Sequence, residues 1–292
     1  MRIESIGVRI PSRKITNADT LAAITELNAS SPPEQVHRYL RGLGFLLERC
    51  GSRTRYIRNR EAGETAHELI LEACAQALEE AHVEPDEIGL LIYCGVGRGF
   101  LEPATAYFVT RSLGISCECF DVLDACMSWV RSLQLASHLF VGRTYRKILV
   151  VNGEFSVYEH GYPELLYGVD AERLRYTFPA FTIGEAATAT VLSDAGKPWR
   201  FRFRSHPEHV ALCALPLAGH ADFAGSGRDF ALNGVGQLVS FGQDLSCAAF
   251  EGIVDFIESE YPDRNSIDWW FHTLSAPKCA GRLSSDWIYT AA

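Results

Sequence analysis

Ala66, Leu69, Ile70, Ala73, Ala77, Leu78 and Ala81 recur with the 3.6-residue period of a helix, which predicts a helix over 64–81. Pro85-Asp86 breaks the chain after it. Ile88 to Cys94 then forms an unbroken apolar run, the pattern of a buried parallel strand. Ahead of this pair, Ile3 to Ile10 reads as a first strand stopped by Pro11, and Asn17 as the cap of a helix reaching about Leu27. Beyond it, Pro103 can take the first position of another helix. Phe120 to Val122 reads as the end of a buried strand. From Cys126 onward, Val130, Leu133, Leu135, Leu139 and Phe140 recur at helical spacing, and Ile148 to Val151 is again strand-like.

After about residue 180 the alternation resumes. Ala187 to Leu192 reads as a strand. Trp199, Phe201 and Phe203 alternate with Arg200, Arg202 and Arg204, which predicts a strand with one wet face. Val239 to Glu258 reads as a helix and Ile267 to Phe271 as a short strand. Strands alternating with helices imply an α/β fold with a mostly parallel sheet. Two α/β halves are expected, 1–178 and 179–292, with a polar, irregular stretch from Ser156 to Thr177 between the main elements.

Composition narrows the class. The chain has 292 residues, 47% hydrophobic and 22% charged, which is ample for a large core. No apolar run is long enough for a membrane span, and Met1-Arg2-Ile3-Glu4-Ser5 lacks the apolar block of a secretory signal. Nine cysteines without compact spacing read as reduced thiols, so a cytoplasmic protein is expected. A net charge of −9 argues against nucleic-acid binding. One window departs from that balance: Arg38, Arg41, Arg49, Arg53, Arg55, Arg58 and Arg60 stand against a single acid, Glu48. It reads either as a site for phosphates or an acidic partner, or as a solvated face. Gly95-Val96-Gly97-Arg98-Gly99 lacks the third glycine of a dinucleotide fingerprint and reads as a turn. His206 and His209 flank Pro207 after an expected strand, and no metal is expected there or elsewhere.

The candidate chemistry centres on Cys126. At a strand-to-helix junction, unpaired N–H groups and the helix dipole favour a thiolate, the form that attacks a thioester. The alternative is a small buried hydrophobe, the usual fate of a cysteine. His272 ends the expected strand Asp268-Trp269-Trp270-Phe271, and ligands bind at strand C-termini in open α/β sheets. It reads either as a proton-transfer partner or as a hydrogen-bonded core histidine.

A set of segments in order along nearly the whole chain resembles the β-ketoacyl-acyl carrier protein synthase III branch of the thiolase superfamily. Ile6-Gly7-Val8-Arg9-Ile10-Pro11 with Ile15-Thr16-Asn17-Ala18-Asp19 resembles that family's first strand and helix. Cys50-Gly51-Ser52-Arg53-Thr54-Arg55 resembles its T-G-I-x-x-R segment, and Phe120-Asp121-Val122-x-x-Ala125-Cys126 its nucleophile motif. Leu149-Val150-Val151-Asn152-Gly153-Glu154 matches the strand that follows. Thr182-Ile183-Gly184-Glu185-Ala186-Ala187-Thr188-Ala189 is a worn F-G-D-G-A-G-A, with glycine lost at Ala186 and Thr188. Asp268-Trp269 before Phe271-His272 resembles the approach to the catalytic histidine.

The resemblance implies a thiolase-like fold, layered α-β-α-β-α from two similar halves, working as a cytoplasmic homodimer. It implies that Cys126 accepts an acyl group from coenzyme A or an acyl carrier protein, and that His272 assists the second step. Arg41 and Arg53, in the arginine window, would meet the carrier's phosphates or the acidic carrier protein. No metal or redox cofactor is implied beyond the carrier's phosphopantetheine. Phe100-Leu101-Glu102-Pro103-Ala104-Thr105-Ala106 resembles the L-E-P-x-x-A segment of relatives that join two acyl chains, where the glutamate enters the partner's site as a base. Glu102 would then generate a carbanion for Claisen condensation in fatty-acid or polyketide-type biosynthesis. The family's asparagine segment lies farther past the histidine than Ala292, so the resemblance implies an incomplete C-terminal end. Two other readings stay open: transfer of the acyl group to an alcohol or amine, and a non-catalytic subunit of a heterodimeric synthase.

Overall fold

The computed structural model describes residues 1–161, 168–224 and 230–260; the expected strand over 267–271 and His272 lie outside them. In chain order the elements are β1 (Arg2–Arg9), β2 (Arg13–Thr16), α1 (Asn17–Leu27), α2 (Pro33–Cys50), β3 (Thr54–Ile57), α3 (Ala66–Ala81), β4 (Leu90–Cys94), α4 (Thr105–Leu113), β5 (Glu118–Val122), α5 (Ser128–Val141), β6 (Lys147–Glu154), α6 (Leu174–Thr177), β7 (Ala186–Ser193), β8 (Cys213–Ala214), α7 (His220–Ala224), β9 (Val239–Ser240) and α8 (Gly242–Glu260). They form two compact units, each assembled from separate stretches of chain. One comprises 1–14, 56–157 and 184–201, the other 15–55 and the described residues of 158–183 and of 202–260. This division by contacts differs from the linear one at residue 178, which concerns repeated topology rather than compactness. Among the described residues no helix is long and apolar enough to cross a membrane.

The first unit is built on a five-stranded sheet in the order β1-β7-β6-β4-β5. β4 runs parallel to both β5 and β6, while β7 is antiparallel to β6 and to β1. The sheet is therefore mixed, not mostly parallel: β6 is followed by a strand that returns beside it, so no crossover connection is needed. Side chains alternate faces at a period of two. Leu91, Tyr93, Leu149 and Val151 pack on one face with α3 and α4, against Leu69, Ala73, Ala77 and Val109. Leu90, Ile92, Ile148 and Val150 pack on the other with Leu133, Ala136 and Phe140 of α5. All five residues of β4 are buried, as its unbroken apolar run predicts. β5 is the edge strand opposite β1 and is only half-covered, with Phe120 exposed.

The helix expected over 64–81 begins at Ala66, after Thr65 caps it by accepting the Glu68 N–H. Its small residues let β1 come close: a Cβ on Gly7 would lie 2.0 Å from the Ala73 carbonyl oxygen. α1 is capped one residue earlier than expected. Thr16 and Asp19 form a reciprocal capping box, while Asn17 donates to the Ser52 carbonyl and accepts from Arg55. Pro103 does not open α4, which starts at Thr105 after Ala104. The alternating run Trp199–Arg204 makes no ladder among the described residues. Val239–Ser240 is strand rather than helix, pairing with β8 before α8 begins.

In the second unit α2 presents Val36, Tyr39, Leu43 and Leu47 along one face. They pack with Ile24 of α1 and with Leu174, Ala180 and Phe181. Burial of each such side chain contributes roughly 1.5–3 kcal/mol, and the four anchors hold the helix that carries the first arginines of the cationic window. Pro33 opens α2 at its first turn, and Gly51, at φ 77°, closes it in the left-handed conformation that glycine adopts without strain.

Candidate active site

The chain leaves β5 at Val122 and enters α5 at Ser128, which leaves Leu123 to Met127 to make a tight elbow. Ala125 sits at φ 44°, a left-handed conformation that strains a residue with a Cβ. Ser128 holds the strained turn. Its Oγ accepts the Asp124 N–H at 2.7 Å and donates to the Ala125 carbonyl at 2.7 Å. Arg131, one turn into α5, pairs with Asp124 at 2.9 Å. Trp129 Nε1 donates to Thr190 Oγ1 of β7 at 3.2 Å, tying the first turn of α5 to the sheet. Cys126 stands at the apex, exposed and in no disulfide, two residues ahead of the helix. The helix thus starts later than its apolar period suggests, and the thiol lies off its N-terminal end, where N–H groups favour an anion.

Ser128→Ala would leave the Asp124 N–H without its acceptor and free Ala125 to relax. We expect about 1 kcal/mol of lost stability. Iodoacetamide should also alkylate Cys126 several-fold more slowly, with the rates at exposed Cys213 and Cys247 unchanged; peptide-resolved mass spectrometry reads all three.

The loop from Gly95 to Ala104 carries Glu102. Backbone crowding explains two of its three glycines: a Cβ on Gly95 would lie 2.4 Å from the Gly153 carbonyl oxygen, and one on Gly97 2.4 Å from the Phe155 nitrogen. The expected turn is thus a close backbone approach to the end of β6. Asp121, inside β5, anchors the far side. Its carboxylate accepts the N–H groups of Thr105 and Ala106 at 2.8 and 2.9 Å, and Arg98 reaches it at 3.4 Å while donating to the Gly95 carbonyl. α4 has no side-chain cap of its own, so a strand residue supplies it. Phe100 stacks on Phe108 at 4.9 Å. The Glu102–Pro103 peptide is cis, and Glu102 is exposed.

Two further carboxylates escaped the sequence reading as individuals. Glu185 is buried and takes three hydrogen bonds from Arg58: from its N–H at 2.8 Å, from Nε at 3.0 Å and from the terminal guanidinium at 2.9 Å. The guanidinium also lies over the Phe155 ring. Glu154 ends β6. Burial pushes its carboxyl above the usual range, against the opposing hydrogen bonds from Val96 and Asn152. The lost glycines do not interrupt β7: Ala186 to Ser193 pairs with β6 along its length.

Cys126 and Glu102 thus belong to the first unit, and Arg41 and Arg53 to the second; His272 lies outside the described residues. Two of the seven arginines hold structure. Arg55 is buried on Asn17 and Thr20, and Arg58 on Glu185. Arg38, Arg41, Arg49, Arg53 and Arg60 remain at the surface. Arg41 lines an open groove of about 570 Å³ with His37, Val36 and Leu40.

No protein-family model matches the chain. The acyl-CoA:acyl-CoA alkyltransferase of Xanthomonas campestris pv. campestris is 34% identical over 133 residues, 44% of this chain and 39% of that protein. The β-ketoacyl-[acyl-carrier-protein] synthase III of Rhizorhabdus wittichii is 29% identical over 149 residues, 51% of this chain and 41% of that one. These matches span about two fifths of the relatives' length. Among solved structures, a variant of Xanthomonas campestris OleA with bound lauric acid and lauroyl-CoA superposes with a TM-score of 0.71. It covers 98% of this chain and 82% of that one at 22% identity, a likeness of fold. Acetamide-bound OleA from the same organism matches 65% of the chain at 28% identity, with a TM-score of 0.54. The fold is thiolase-like, and over about half of its length the chain is similar in sequence to β-ketoacyl-[acyl-carrier-protein] synthase III and to the alkyltransferase.

Proposed function

We propose that the protein is an acyl-thioester condensing enzyme, a transferase that joins two acyl chains through a Cys126 acyl intermediate. The observation that carries this reading is the exposed thiol of Cys126 on a strained elbow at the N-terminal end of α5. In the first step the Cys126 thiolate attacks the thioester carbonyl. A new C–S bond forms and the carrier leaves as its thiolate. In the second step a base removes the α-proton of another acyl thioester. The carbanion attacks the acyl-Cys126 carbonyl, a C–C bond forms, and the cysteine departs as thiolate. Glu102 of a neighbouring subunit is the proposed base, His272 the residue that assists this step, and coenzyme A or an acyl carrier protein the acyl carrier.

The exposure of Glu102 supports that role, since a residue reaching into a partner must point away from its own subunit. β5 supports a homodimer: it is an edge strand with one side unpaired among the described residues, Phe120 on it is exposed, and such an edge invites a second chain. Exposed Arg41 and Arg53 are the proposed contacts for carrier phosphates. No cofactor beyond the carrier is proposed.

Incubation with paired long-chain acyl-coenzyme A substrates, followed by product analysis, tests the reading. A β-keto product with a new C–C bond supports condensation. An ester or amide formed with added alcohols or amines would replace it with simple acyl transfer. Glu102→Gln should still form the acyl-enzyme but lose about 10²–10⁴ in condensation rate, the usual worth of a positioned base. A variant with unchanged condensation would remove Glu102 from the mechanism.

A further inference from the structure

Residues 206–209 read His-Pro-Glu-His, and the second unit folds them into a compact donor set. Pro207 opens a 3₁₀ helix, Pro207–Leu212, with His206 just before it. At three residues per turn, positions i and i+3 eclipse, so His206 and His209 stand one above the other. Their ring centroids are 6.0 Å apart with 29° between planes. Glu208 Oε1 lies 3.0 Å from His206 Nδ1. One ligand atom from each of the three side chains falls within 4.8 Å of the others. His206 is braced from behind, since a Cβ on Gly252 of α8 would lie 3.3 Å from its Nε2. Its Nδ1 is thereby left to the Glu208 side.

We propose that His206, Glu208 and His209 bind a divalent transition-metal ion of the zinc class through two imidazole nitrogens and one carboxylate oxygen. Water would complete the tetrahedron. Zinc bonds of about 2.0–2.2 Å set the donors of a tetrahedron roughly 3.3–3.6 Å apart; His206 and Glu208 already stand within that span at 3.0 Å, and the wider separations in the set, up to 4.8 Å, must close. Small χ rotations can close the gap, because His206 and Glu208 are exposed, His209 is half-buried, and Pro207 and the 3₁₀ turn already set the backbone. Binding at His206 Nδ1 requires the neutral ring, so any proton there moves to Nε2 or to solvent. The nitrogen donors select zinc, nickel or copper over magnesium and calcium. Such an ion would clamp the 3₁₀ turn that packs on α8. The site is independent of the reading of Cys126.

Calorimetric titration of the chelator-stripped full chain with ZnCl₂ tests the proposal. Exposed thiols also bind zinc, so the comparison is between variants. The natural chain should bind one equivalent more than His206→Ala/His209→Ala, and magnesium should give no matching signal. Glu208→Gln should weaken that equivalent about tenfold or more. Should the double variant not fold, Glu208→Gln alone decides, because its side chain is exposed. Equal stoichiometry and affinity in the natural chain and the folded variants would overturn the site.

Discussion

Incubated with acyl-coenzyme A thioesters, Cys126→Ala is expected to gain no mass, while the natural chain gains one acyl group. The expectation rests on how differently the cysteines are placed. Cys74 and Cys94 lie inside the sheet's two cores, and burial pushes both thiols up to about 12. Cys117 is raised to about 11, again by burial first. Near neutral pH these three are thiols, and thiols do not open thioesters. Cys213 and Cys247 are exposed, but neither stands on a strained elbow at the end of a long helix. They are internal controls: an adduct mapped to them in the Cys126→Ala protein would mark non-specific acylation. Intact mass spectrometry with peptide mapping gives both results. A stoichiometric adduct surviving in Cys126→Ala at another cysteine would sink the proposed nucleophile. The effect should be all-or-none, because no other side chain at the elbow can form a thioester.

The position of Cys126 between β5 and α5 was legible because two local signals meet there: an apolar strand end and a helical period beginning immediately after. The elbow itself was not. Left-handed backbone usually announces itself as glycine or asparagine, and here alanine takes it, held by Ser128 and by the turn's own hydrogen bonds. α4 shows the same limit. Pro103 is a sound local signal for a helix start, yet the orphan N–H groups found their acceptor on Asp121, distant in sequence and adjacent only in the fold. Thr16 and Asn17 are both competent caps; the choice fell to Thr16 because Asn17 is engaged by Ser52 and Arg55. In the run Trp199–Arg204, alternation is a property of any extended chain with one dry side. Without a partner strand it makes no ladder, although Trp199 and Phe201 still stack at 6.1 Å. The periods of α3 and β4, by contrast, are long or wholly apolar, and packing on both faces of one sheet rewards them directly. The arginine window shows why charge runs mislead: identical residues in one stretch divide between two buried structural hydrogen-bonding roles and an exposed set.

Glu185→Ala should be the most damaging single polar-to-alanine substitution in the first unit, at about 3–5 kcal/mol. The carboxylate is fully buried, and it meets both the backbone N–H and the side chain of Arg58. Removing it leaves a buried guanidinium and a buried N–H facing a cavity. That costs much more than the pair's net contribution, since the pair's Coulomb gain is largely offset by desolvation. The two halves of that argument separate experimentally. If stranding the charge is what hurts, Arg58→Met/Glu185→Leu should recover much of the loss that either Glu185→Ala or Arg58→Ala shows alone. If the backbone hydrogen bond dominates, the double variant should stay low and Glu185→Gln, which keeps an acceptor for the Arg58 N–H, should recover more. Urea unfolding of the four variants, compared at unchanged m-value, distinguishes the cases. A loss below about 1 kcal/mol for Glu185→Ala would place this pair among exposed ion pairs and contradict its burial. The consequence reaches the proposed chemistry. Glu185 sits just ahead of β7, the strand whose Thr190 receives Trp129 from the first turn of α5. A weakened Arg58–Glu185 pair should therefore also slow acylation at Cys126, more than it changes the alkylation of Cys213.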